Sequence, residues 1–126
     1  MAESFRDLIV WQRAVELSLA AYRLTSAFPR DERFGLTDQM RRAAVSVASN
    51  LAEGTGRSTR GEFVQFVGHA RGSICELQTQ LVISAALGYG TEELRTPVET
   101  RAAETSRMLN ALFRGLKEPK ALIKTR

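Results

Sequence analysis

Apolar residues return every three or four positions along almost the whole chain, and nowhere do they alternate strictly with polar ones over the length of a strand. That rhythm permits helices and gives a half-buried sheet nothing to bury. The pattern is broken at three places: before Pro29, at Gly54 and Gly56, and at Gly88 and Gly90. Proline disfavours helix at the residue before it, and glycine is the residue that most easily takes the left-handed conformation past a helix end. Four helices follow, over about residues 8–27, 36–53, 60–87 and 92–116. Thr59 and Glu62 have the spacing of a capping box at the start of the third. For the fourth, a turn near Thr91 precedes a firmer start at Thr96, with Pro97 at the first helical position and Glu99 closing a second box. The third helix is a rod of roughly 40 Å at 1.5 Å per residue. Short connections make neighbouring helices antiparallel, so the expected fold class is all-α, an antiparallel up-and-down four-helix bundle.

A chain of 126 residues fits one core and one domain, placed at residues 1–116, with 117–126 expected to form a flexible basic tail. Residues 1–113 carry 13 basic and 13 acidic side chains, so the net charge of +4 resides in the last 13 residues, 114–126. There Arg114, Lys117, Lys120, Lys124 and Arg126 face only Glu118. Such a run either stays solvated or meets an acidic partner. No apolar run approaches the roughly 20 residues of a membrane span, and residues 1–7 lack the order of a signal peptide. With a single cysteine, Cys75, the expectation is a cytoplasmic protein without membrane contact.

The apolar positions exceed what one bundle needs. The second helix has one stripe, Leu36, Met40, Ala43, Val47 and Leu51, whereas the first has two on nearly opposite sides. One is Leu8, Trp11, Val15, Leu19 and Tyr22; the other is Val10, Ala14, Leu17, Ala21 and Leu24. The third helix adds to its bulky stripe, from Phe63 to Leu81, a small seam of Gly68, Gly72, Cys75, Thr79, Val82 and Ala86. Two glycines one turn apart in mid-helix point to another backbone close by, either from a neighbouring helix of the bundle or from a second copy. Doubled faces predict a homo-oligomer.

Catalytic chemistry is hard to assemble from this inventory. His69 and Cys75 lie six residues apart on one helix, about 120° apart in direction, and cannot act as base and nucleophile. His69 is seven residues from Glu62 and from Glu76, too far to chelate one ion, and the Glu-x-x-His pair of di-iron bundles is missing. No enzyme activity, metal or cofactor is expected. The loop of Gly54 and Gly56 lacks both the strand before it and the Lys-Ser or Lys-Thr pair after it that a phosphate loop needs. Its surroundings are the most polar part of the chain, with Asn50 and Glu53 before it and Arg57 and Arg60 after it. These form a capping and salt-bridge knot or, with Arg41, Arg42, Lys117, Lys120 and Lys124, a contact for RNA or a partner.

Residues 41–57, RRAAVSVASNLAEGTGR, together with FRDLIVWQRA at 5–14, FPRDERFGLTDQMRRAA at 28–44, GEFVQFV at 61–67 and CELQTQL at 75–81, resemble the four-helix-bundle family of 23S rRNA intervening-sequence proteins. The likeness covers about residues 5–116 and is specific. It implies an up-and-down bundle that assembles as a ring-like homopentamer, without established enzymatic activity and with a link to RNA or an RNA-handling protein. The chain also resembles the accessory bundle of diversity-generating retroelements, a basic pentamer, from which it departs in having a charge-balanced body.

Overall fold

In the computed structural model, which describes residues 4–118, four helices follow one another: α1 (Ile9–Thr25), α2 (Leu36–Thr55), α3 (Arg60–Ala86) and α4 (Glu92–Lys117). Single 3-10 turns at Phe5–Asp7 and Arg30–Glu32 precede α1 and α2. Each helix packs on its sequence neighbours, and α4 closes back on α1. The result is an up-and-down bundle with α1 and α3 on one diagonal, α2 and α4 on the other.

The interior takes one stripe from every helix. Val10, Ala14, Leu17, Ala21 and Leu24 of α1 meet Met40, Ala43, Val47 and Leu51 of α2, Val67, Ala70, Ile74, Leu77 and Leu81 of α3, and Val98, Ala102 and Leu109 of α4, all buried. Each large member stabilises the fold by about 1.5–3 kcal/mol through burial. Of the two stripes on α1, the interior therefore receives the one rich in alanine, which lets α2 and α4 come close. Buried hydroxyls bond their own helix: Thr25 donates to Ala21 O at 2.8 Å and Thr105 to Arg101 O at 2.7 Å. Across α2 and α3, Ser46 and Ser73 share a hydrogen bond of 2.8 Å, and Asn50 Nδ2 donates to Ser46 O and Oγ at 2.8 and 2.9 Å.

The helix ends differ from the sequence reading in two places. α4 is capped by Thr91, whose hydroxyl accepts from Leu94 N at 3.2 Å, so Pro97 lies inside the helix and the Thr96 box is unused. Proline is tolerated there because the carbonyl it cannot satisfy belongs to Glu93, which is exposed to water. Gly54 does not end α2, which runs on to Thr55; it is buried, because Phe63 and Phe66 of α3 lie against it. Gly88 and Gly90 do have positive φ, 76° and 74°, and end α3 as expected. Thr59 and Glu62 form the reciprocal capping box. Replacing Thr59 by alanine is expected to cost about 1 kcal/mol, read as a lower denaturation midpoint.

Two ends of the bundle are tied by side chains. At one, Tyr89 packs on Phe28, ring centroids 5.5 Å apart, and donates to Glu32 Oε2 at 3.0 Å, while Glu32 Oε1 accepts from Leu36 N at 2.9 Å. The bond to Glu32, then burial, holds the Tyr89 phenol above its ordinary pKa. At the other, Arg60 of α3 donates to Leu116 O at 2.7 Å and Gly115 O at 3.2 Å, placing a cation on the last carbonyls of α4.

Candidate nucleic-acid interface

The cations singled out in the sequence divide between the two ends. Arg41 and Arg42 lie near the start of α2, and Arg57 follows its end, roughly 20 Å away along the axis. Arg41 donates through Nε to Thr25 Oγ1 at 2.8 Å and lies 4.4 Å from the Tyr22 ring centroid. Arg42 is paired with Asp38 at 2.9 Å. Arg57 is paired with Glu53 at 2.8 Å and lies 4.7 Å from the centroid of the Phe66 ring, while Arg60 holds the end of α4. Asn50, Glu53, Gly54 and Gly56 thus belong to a joint between α2 and α3. Beside this joint Arg57 and Arg60 border a cavity of about 420 Å³ floored by Phe5, Leu8, Phe63 and Leu116. Lys120 and Lys124 lie outside the described residues.

Lys117 belongs to a different group. In the groove between α3 and α4, Arg71 donates through Nε to Asn110 Oδ1 at 2.9 Å, and its guanidinium carbon stands 4.1 Å from the centroid of the Phe113 ring. Lys117 Nζ is 5.0 Å from the same centroid, and Arg114 and Glu118 complete the lining. Among the described residues no carboxylate lies within ion-pair distance of Arg71, Arg114 or Lys117. Asn110, Phe113 and Lys117 follow the three-and-four spacing of one helix face, which the sequence offers as a signal. Arg71 comes from α3, and only packing joins it to them.

The small seam of α3 faces outward. A Cβ on Gly72 would meet nothing within 4 Å, and on Gly68 only the Phe113 ring at 3.7 Å. Cys75 and Thr79 are exposed, and Val82 is 70% exposed. At Gly72, then, none of the described helices of the same chain approaches, and that alternative falls there. The second stripe of α1 is divided: Leu8 and Trp11 pack on the edge of the core and Val15 is half-buried, whereas Leu19 and Tyr22 are exposed, as is Val45 of α2. Because α1 and α3 are diagonal, these outward faces lie on opposite sides of the bundle.

His69 sits edge-on to Phe66 at 5.7 Å, and among the described residues no three His, Cys, Asp or Glu side chains gather as a metal site. No helix there is long and apolar enough to cross a membrane. Compared with known families, residues 6–111 match the family described as 23S rRNA-intervening sequence protein. The chain belongs to that family. The intervening-sequence protein is also similar in fold to the crystal structure of a protein of unknown function from the S23 ribosomal protein family of Bacteroides thetaiotaomicron VPI-5482. The TM-score is 0.75 at 18% sequence identity, covering 82% of this chain and 97% of that one. No protein of curated function matches. In this intervening-sequence protein the stretch SNLAEGTGR is the end of α2 and its turn, where Asn50 bonds the helix, Gly54 admits Phe63 and Phe66, and Glu53 pairs with Arg57. Each of these roles is structural.

Proposed function

We propose that this intervening-sequence protein is a non-catalytic bundle that assembles with copies of itself, as a ring of five, in the cytoplasm, and binds RNA or an RNA-handling partner. The observation that carries the reading is the pair of outward faces, with apolar or small residues left exposed, on opposite sides of the bundle. One is bulky, with Leu19, Tyr22 and Val45; the other is small, with Gly72, Cys75 and Val82. A bulky face of one copy laid on the small face of the next makes a head-to-tail contact, and such contacts close into rings when the rotation permits. Assembly would bring together, from each copy, a net charge of +4, and phosphate is the polyanion such a ring attracts. The likeness to the retroelement accessory bundle accords with a basic ring, although here the charge lies in the tail.

Light scattering on the protein at micromolar concentration should give the mass of five chains, and a single-chain mass would refute assembly. Gly72→Leu should lower that mass while the helical signal persists, because the isolated bundle has room for the new side chain. RNA should bind at low salt and be released as salt rises, by roughly twentyfold in affinity over a fourfold change in salt if three phosphates are neutralised. An oligomer that binds no RNA at low salt is instead a protein scaffold.

A further inference from the structure

Taking the RNA reading as its premise, the geometry points to the α3–α4 groove as the place where the phosphodiester backbone of a single RNA strand lies, with the Arg71 guanidinium as its central contact. Most arginines with an assigned partner are engaged elsewhere. Arg13, Arg42, Arg57 and Arg101 pair with carboxylates, and Arg60 is spent on the carbonyls of α4. Arg71 is oriented without being neutralised. Asn110 Oδ1 accepts a hydrogen bond from its Nε, the Phe113 ring supports its plane, and neither partner carries charge. The two terminal nitrogens remain to donate side by side, the fork geometry that matches two phosphate oxygens.

Arg41 is held in a similar way by Thr25 and Tyr22, but it borders a surface that also contains Asp38, and its second nitrogen reaches toward Tyr22 O at 3.5 Å. Around Arg71 the remaining charges are Arg114 and Lys117, with Glu118 the single acid in the lining. Arg71 is half-buried and lines this groove together with Arg114 and Lys117. A flexible single strand can bend to set one phosphate on Arg71 and the next ones on Arg114 and Lys117, which a rigid duplex with fixed phosphate spacing cannot do as freely. Such contacts read no bases, so binding is expected to tolerate sequence.

The test uses the full chain and a labelled single-stranded RNA of mixed sequence, titrated at two salt concentrations, with a duplex of the same length beside it. Arg71→Ala should weaken single-strand binding about tenfold and flatten the salt dependence by about one phosphate. Asn110→Asp should weaken it similarly, because it keeps the contact to Arg71 and so the fold, yet cancels the charge presented to phosphate. Arg23→Ala, which removes one exposed positive charge on α1, should change affinity far less. If the unaltered chain binds RNA and both groove variants match it, or if duplex binds as tightly as single strand, the groove assignment is wrong and the RNA reading survives. If the unaltered chain binds no RNA at low salt, the RNA reading fails and the groove proposal falls with it.

Discussion

Gly54→Leu is expected to destabilise the bundle by about 3 kcal/mol, among the largest effects of any single change at a residue carrying no side chain of its own. A Cβ at this position would lie 2.8 Å from Phe66 Cβ and 2.9 Å from Phe63 Cδ1, closer than carbon atoms pack. The propensity gain of about 1 kcal/mol from removing a helical glycine is too small to offset displacing two aromatic side chains. Urea denaturation should show the midpoint falling by roughly 1.5–2 M for a chain of this size. Gly72, also helical but with nothing within 4 Å of its Cβ, provides the contrast: Gly72→Ala in the dissociated chain should be neutral or stabilising. An unchanged midpoint for Gly54→Leu would mean that α2 and α3 do not meet as described.

Gly90→Ala should cost about 3 kcal/mol, while Gly88→Ala should cost about 1 kcal/mol. The two have nearly the same left-handed backbone, φ 74° and 76°, so the conformational penalty is common to both. They differ in surroundings. A Cβ on Gly90 would lie 2.7 Å from Leu24 Cδ1 and 3.2 Å from Phe28 Cε1, whereas Gly88 is open. The difference between the two variants, measured by denaturation under identical conditions, isolates how tightly the α3–α4 turn is pressed onto the end of α1. Equal losses would leave backbone strain as the whole effect.

These glycines also show where sequence was sufficient and where it was not. Gly88 and Gly90 were legible because a helix end is a local event, set by backbone conformation. Thr59 and Glu62 were legible for the same reason. Gly54 looks identical in sequence, yet its function is to let Phe63 and Phe66 approach, and only the crossing of α2 and α3 reveals that. Thr91 and Thr96 each offer a cap, and the helix is capped by Thr91 because Pro97 is tolerated in its second turn, where the unpaired carbonyl belongs to the exposed residue Glu93. On α1 both stripes are hydrophobic, so periodicity could not say which faces inward. The interior selects the stripe whose alanines allow close helix packing, leaving Leu19 and Tyr22 outside. Among the candidate contacts, pairs four residues apart such as Arg42 with Asp38 and Glu53 with Arg57 were readable as neighbours. Arg71 and Asn110 are 39 residues apart, and nothing short of the fold brings them together.

The 3-10 turn at Phe5–Asp7 rests against α2, and the same cavity is bordered by Ser4 at one extreme of the described chain and Leu116 near the other. An up-and-down bundle with an even number of helices returns its backbone to the side from which it set out. Topologically the path is nearly a closed loop, so the order of the helices along the chain could be rotated without altering which helix touches which. A join across Ser4 and Glu118 with new ends opened at the exposed Gly88 would preserve every helix pair. It would also carry whatever is fused to the ends from the Arg60 side of the bundle to the Tyr89 side.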